Sequence, residues 1–319
     1  MTLSKEEITL AYTLFLGRSP SAIELERMQS RQRNIEGLRR TFLLSEEFAA
    51  RFAAMRPQRD TADRQPHTAS SPPLLVHLHV PKTAGTSLTQ ILASNFQDGE
   101  KLALDAGQRE ILAGLPVSTR NRIRLVFGHL WHGIGRELGR RTVYICAIRR
   151  ARPRLLSYFN YIKRRSDHPM HTFLTERNME FGDFLEFCVD EENQRIEVDN
   201  SQIRRISGSF THADIGNEAA LLRDAIGNAF SPDMVVGLTE KFDELLATLV
   251  TQELIKKYQP TRENAAPEPA SIEEAETKLT SRQLEILETF THWDDTFYNI
   301  CEQFLLPARS GLRQRTSTP

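Results

Sequence analysis

Lys82, Thr83, Thr86 and Ser87 lie close together in His79-Val80-Pro81-Lys82-Thr83-Ala84-Gly85-Thr86-Ser87-Leu88, between an apolar run and a stretch with helical spacing. Small residues such as Ala84 and Gly85 let a ligand approach the backbone closely, and the first N–H groups of a helix have no intrahelical acceptors. With a lysine and paired hydroxyls added, 82–87 has the chemistry of a phosphate or sulfate cradle at a helix N-terminus. Its spacing is not Gly-x-x-x-x-Gly-Lys-Ser/Thr, the Walker arrangement. The competing reading is a plain βα turn capped by Thr86 or Ser87, which binds nothing. A second basic set begins at Arg149, directly after the apolar run Val143–Ile148, and holds seven basic residues and no acid up to Arg165. Arg149 can fork onto a phosphate, with Ser157 donating from the same side two helical turns on. Arg150, Arg152 and Lys163 read instead as a solvated basic face, or as a loose attraction for an anionic acceptor. Third, Gly128-His129-Leu130-Trp131-His132 follows another apolar run. A neutral imidazole is suited to taking a proton from a hydroxyl, and His129 is the first choice of base, with His132 as fallback. A lone histidine is more often structural, and Trp131 reads as packing before it reads as a sugar platform.

These residues need elements to hold them. The segments Leu74–Val80, Ile123–Phe127, Val143–Ile148 and Asp233–Thr239 are short apolar strands, and Thr86–Phe96 and Phe242–Gln252 are helices. Apolar strands alternating with helices predict an α/β fold around a parallel sheet covered on both faces, with ligands at the strands' C-terminal edge. A final helix is predicted over 281–305, after a polar break at 260–269. Upstream, residues 4–54 read as wholly helical, with Ser21 as a helix cap and Ser45-Glu-Glu-Phe48 opening a last turn. Residues 57–73 contain four prolines and no large apolar side chain, so they read as a linker. The division is therefore a small all-α module over 1–56, a linker over 57–73, a main domain over 74–310 and a tail over 311–319.

Composition excludes broad classes. The chain has 319 residues with 41 Lys plus Arg against 42 Asp plus Glu, so a general nucleic-acid or anionic-membrane binder is not expected and any anion site must be local. No run is long and apolar enough for a membrane span, and Met1-Thr-Leu-Ser-Lys-Glu-Glu is unlike a signal peptide. The three cysteines are far apart, Cys146 lies inside an apolar run, and no ligand spacing suggests a metal. A cytoplasmic, reduced, metal-free protein is the expectation.

Pro81-Lys82-Thr83-Ala84-Gly85-Thr86-Ser87 resembles the 5′-phosphosulfate loop of sulfotransferases that use 3′-phosphoadenosine 5′-phosphosulfate (PAPS). The likeness is to the glycan-modifying branch related to heparan sulfate 2-O-sulfotransferase. Arg149, Arg154, Ser157 and Tyr161 match that family's 3′-phosphate motif, although Arg150-Ala151 replaces its usual Asp-Pro. Gly128-His129, Asp199-Asn-Ser-Gln-Ile-Arg-Arg-Ile-Ser-Gly208 and Val236-Gly-Leu-Thr-Glu-Lys-Phe-Asp243 look like further landmarks of the branch. In the last, Thr239 and Glu240 read equally well as helix capping. Leu16-Gly-Arg-Ser-Pro and Leu44-Ser-Glu-Glu-Phe48 are similar to the small helical module DUF4214 of bacterial surface-glycan proteins.

The resemblance implies a P-loop-like three-layer fold and a sulfotransferase domain over 74–310. It implies sulfuryl transfer from PAPS to a carbohydrate hydroxyl, with PAP as product and no metal. Lys82, Thr83, Ala84, Gly85, Thr86, Ser87, Arg149 and Ser157 would hold the donor. His129 and Lys82 would be catalytic, and His132, Arg204 and Arg205 would stand on the acceptor side. Arg262 and Asn264 lie where related enzymes carry a cofactor-covering loop. The alternatives are a nucleotide-dependent phosphotransferase on the same cradle, which would want an acidic Mg²⁺ ligand, or a non-catalytic protein binding a glycan or nucleotide.

Overall fold

The computed structural model describes residues 4–16, 18–31, 41–42, 47, 72–104, 111, 114–135, 140–209, 215–256, 258 and 271–305. The chain divides into two compact units, Met1–Gln65 and Pro66–Pro319. That division falls inside the proline-rich 57–73 stretch, most of which lies outside the described residues, as do 260–269 and the 311–319 tail.

In the first unit, helix α1 (Lys5–Ala11) starts at a Ser4–Glu7 capping box and runs into a wide π-type turn over Tyr12–Leu16. Helix α2 (Ala22–Arg31) follows, with Ser21 and Glu24 exchanging side-chain and backbone hydrogen bonds at its start. Ile8, Tyr12, Leu16 and Phe42 are buried together, with the Tyr12 and Phe42 rings edge to face. Arg18 bonds both Glu24 and Glu47, so the start of α2 and Glu47 are joined through one guanidinium.

The second unit is an α/β structure on five parallel strands: β1 (Leu74–Leu78), β2 (Lys101–Ala103), β3 (Leu125–Gly128), β4 (Thr142–Ile148) and β5 (Met234–Leu238). Their spatial order is β2-β3-β1-β4-β5, with every pairing parallel. β1 and β5 are buried along their whole length, as expected of a sheet covered on both faces. β2 has no counterpart among the sequence-predicted strands, because three residues, none of them buried, carry no periodic signal.

Helix α3 (Gly85–Ala93) follows β1, and a short α4 (Val117–Arg122) precedes β3. After β4 come α5 (Ala151–Arg164), α6 (His171–Glu176), α7 (Phe181–Asp190), α8 (Glu192–Val198), α9 (Ser201–Ser207) and α10 (Glu218–Ala229). Beyond β5 are α11 (Phe242–Thr251), α12 (Ile272–Glu276) and α13 (Ser281–Ile300). One core cluster joins Leu88, Ile91 and Leu92 of α3 and Leu245, Leu246 and Leu249 of α11 to Leu75, Leu125, Val143, Ile145 and Val235 of the sheet. A second is all helical: Leu155, Phe159 and Ile162 of α5, at helical spacing, meet Phe184 and Leu185 of α7 and Leu287 and Phe290 of α13. The long α13 starts at a Thr280–Gln283 capping box and continues into a wide turn over Cys301–Leu305. Cys146, Cys188 and Cys301 are buried and are not in disulfides. Among the described residues no helix is long and apolar enough to cross a membrane, and no cluster of side chains suits a metal ion.

Candidate anion site at the sheet switch point

The chain leaves β1 towards β2 and β3 and leaves β4 towards β5, so these neighbouring strands feed connections running in opposite directions. The crevice at their C-terminal ends is the place where open α/β sheets bind ligands. Both basic segments predicted from the sequence border it.

On the β1 side the chain turns through 81–84 with Lys82 at φ 69° and Ala84 at φ 62°, a conformation that costs a residue with a Cβ about 1 kcal/mol or more. Thr83 is buried and spends its hydroxyl on the Val80 carbonyl, 2.9 Å away, so it braces the turn and does not face a ligand. Ala84 is the N-cap of α3, and no side chain caps that helix. The plain alternative, a turn capped by Thr86 or Ser87, is therefore not what forms. Thr86 is exposed and Ser87 is buried. Gly85 is required by contact: a Cβ there would sit 2.1 Å from the His79 ring.

On the β4 side, residues 148–151 are held from four directions. Thr239 donates its hydroxyl to the Ile148 carbonyl at 3.1 Å. Gln202 accepts from the Arg149 N–H at 2.9 Å and donates to the Arg149 carbonyl at 2.8 Å. Glu240 accepts from the Arg150 N–H, and Asp295 accepts from the Ala151 N–H at 2.7 Å. The turn lacking Asp-Pro thus draws its carboxylates from elsewhere in the chain, and Thr239 and Glu240 hold this turn where helix capping was the equal expectation. With these N–H groups occupied, an anion on this side must be held by side chains, above all Arg149 and the half-buried Ser157 of α5.

Across the crevice the Arg149 Nη1 donates to the Lys82 carbonyl at 3.3 Å. Lys82 Nζ stands 4.2 Å from the centre of the Tyr161 ring. Burial first, then the like charges of Arg164, Arg149 and Arg165, pull the Lys82 ammonium down from 10.5 to about 8. Five of the seven basic residues between 149 and 165 have carboxylate partners: Arg150 with Glu302, Arg152 with Glu276 and Glu288, Arg154 with Asp294, Lys163 with Glu180, and Arg165 with Asp167. Arg150, Arg152 and Lys163 are thereby internal tethers, and not attractors of an acceptor. Among the described residues Lys82, Arg149 and Arg164 form no ion pair.

His129 is exposed at the end of β3, its ring centre 4.8 Å from that of His79. Gly128 at φ 149° allows this edge to close, since a Cβ would lie 1.8 Å from the Leu104 carbonyl oxygen. Burial, then His129, Arg205 and Lys82, lower His79 to about 3, which keeps it neutral. Behind it His77 is fully buried, stacked on His79 and joined through Nδ1 to the Thr89 hydroxyl. A cavity of about 310 Å³ opens beside the pair, lined among others by Thr86, Gln90, Leu104, Phe127, His79 and His129. It borders the Lys82 loop and mixes apolar walls with uncharged polar groups, the usual character of a small-molecule site.

His132 packs its ring 4.4 Å from that of Tyr144 and ties its N–H to the Arg205 carbonyl. Arg204 and Arg205 correct the expectation of acceptor contacts. Both are fully buried, Arg204 on Glu218 and the Asp199 carbonyl, Arg205 donating from Nη2 to both carboxylate oxygens of Glu197 at 2.7 Å. Helix α9 is buried from Ser201 to Ile206, so its arginines need carboxylates within the fold and present nothing to an acceptor. Arg262 and Asn264 lie outside the described residues.

No family model matches the chain, and no curated protein matches it in sequence. Sequence reasoning overlooked Gln202, Asp294 and Asp295. Gln202 stands inside 199–208, where the adjacent arginines drew attention, and the two aspartates on α13 are distant in sequence from the turn they serve.

Proposed function

We propose that this protein is a sulfotransferase that moves a sulfuryl group from PAPS to a carbohydrate hydroxyl. The observation that carries the reading is the Arg149–Lys82 contact across the β1/β4 crevice. It brings two cations without carboxylate partners to a helix start that no side chain caps. A ligand with two separate phosphate-bearing ends fits this arrangement, because each end meets its own cation, and an anion beside Lys82 offsets the burial and the like charges that depress its pKa.

PAPS, when bound, supplies the sulfuryl group and leaves as PAP. Lys82 and the backbone at 84–87 neutralise charge growing on the departing phosphate oxygen. Arg149 and Ser157 hold the 3′-phosphate, which distinguishes PAPS from ATP. His129 takes the acceptor's proton as its oxygen bonds to sulfur and the bond from sulfur to the phosphate oxygen breaks. The adjoining cavity seats the acceptor, and its uncharged walls suit a sugar ring. Positioning and charge stabilisation together supply the rate, as in phosphoryl transfer.

Calorimetry tests this reading. PAP is expected to bind without magnesium, and more tightly than ATP binds with it. A preference for ATP with magnesium would overturn the proposal in favour of a nucleotide-dependent phosphotransferase.

A further inference from the structure

Arg149 is not held by its own sequence neighbourhood. Its peptide is gripped on both sides by the Gln202 amide, which accepts from N–H and donates to C=O, in the manner of one more rung of sheet extending β4. Gln202 is fully buried and lies at the start of α9. That helix start is fixed by Asp294 of α13, whose carboxylate accepts from the Gln202 N–H at 3.1 Å and the Ile203 N–H at 2.9 Å. Asn200, in a left-handed turn immediately before α9, locks the same junction by accepting from the Trp293 and Asp294 N–H groups.

The Asp294 carboxylate is completely buried, and its charge is compensated by those N–H groups and by the equally buried Arg154 guanidinium 4.0 Å away. Arg154 lies in the same helix that Arg149 introduces, five residues on. Asp294 therefore holds the start of α9 by two hydrogen bonds and faces α5 through the Arg154 charge, while Gln202 carries the position of α9 over to Arg149. A buried carboxylate with only partial compensation is a costly way to hold a helix. The cost is understandable if the geometry it sets is that of a ligand contact.

We infer that Gln202 and Asp294 are positioning residues for the Arg149 clamp on the 3′-phosphate, one acting on the Arg149 peptide and the other on Gln202. The inference rests on the proposed use of PAPS, but it predicts something that reading alone does not: side chains without ligand contact decide how well the protein senses a 3′-phosphate.

The test compares PAP with adenosine 5′-phosphate, which lacks the 3′-phosphate, in unaltered protein, Gln202→Met and Gln202→Glu. Methionine keeps the volume and removes both hydrogen bonds. Glutamate keeps an acceptor for the Arg149 N–H and loses the donor. PAP affinity is expected to fall about tenfold or more in Gln202→Met, the size expected for two lost hydrogen bonds, and by less in Gln202→Glu. Adenosine 5′-phosphate affinity should fall by clearly less, because the β1 loop is braced by the Thr83 hydroxyl on the Val80 carbonyl and meets Arg149 only through the Lys82 carbonyl. Asp294→Asn should shift the ratio in the same direction, with thermal melts reporting the cost to folding separately. Equal losses for both ligands, or an unchanged PAP affinity, would show a merely structural role and overturn the inference. If unaltered protein bound PAP no better than adenosine 5′-phosphate, the PAPS reading itself would fail, and this one with it.

Discussion

Lys82→Ala is expected to lower turnover by about 10²–10³-fold, the usual effect of removing one group that stabilises charge developing in a transition state. Lys82 and Arg149 border the crevice and form no ion pair among the described residues, and Lys82 is the one on the loop that would meet the departing phosphate. Its depressed pKa adds a pH signature. Because the ammonium titrates near 8 in the folded protein and at 10.5 when unfolded, the unfolded chain binds more protons between those values. Lys82 therefore makes the ligand-free protein more stable as pH rises through that window, and it disfavours folding at lower pH. Anion affinity runs the other way, falling as pH rises through about 8 and the charge is lost. Thermal melts from pH 7 to 10, with and without PAP, should show these opposite slopes. Both should flatten in Lys82→Ala, and a PAP affinity independent of pH would remove Lys82 from the site.

His129→Ala is expected to cost about 10²–10⁴-fold in turnover while leaving PAP affinity unchanged, the pattern of a lost general base. The residue is exposed, lines the cavity and lies beside the His79 ring, which burial keeps neutral. His79 can thus orient its neighbour without carrying charge of its own. Near-normal turnover in His129→Ala with PAP still bound would move the base elsewhere. His132 would then be the residue to replace, although its ring packs against Tyr144.

The sheet was legible in the sequence because buried parallel strands are continuous apolar runs: four of its five strands fall within a residue or two of their expected ends. The fifth, Lys101–Ala103, is too short and too exposed to show a period. The Lys82 loop and Arg149 stood out in the sequence as separate candidates for anion binding because each follows an apolar run directly. Their contact was not, as it depends on strand order, which places β1 beside β4 although β2 and β3 intervene in the chain. Arg204 and Arg205 misled for a related reason. Charge suggests a surface, and only the tertiary fold shows α9 to be internal, with Glu218 and Glu197 brought to it from flanking helices. The same fold gives the polar residue between them and Asn200 its importance: Gln202, which forms no charge pattern, holds the Arg149 peptide.

Transfer of ³⁵S from labelled PAPS to a carbohydrate extract of the source organism tests the central claim most directly. The account predicts label on a glycan fraction, release of PAP, and loss of both in Lys82→Ala and His129→Ala. Labelling that survived both substitutions, or PAP binding in unaltered protein with no sulfuryl transfer to any carbohydrate, would contradict it.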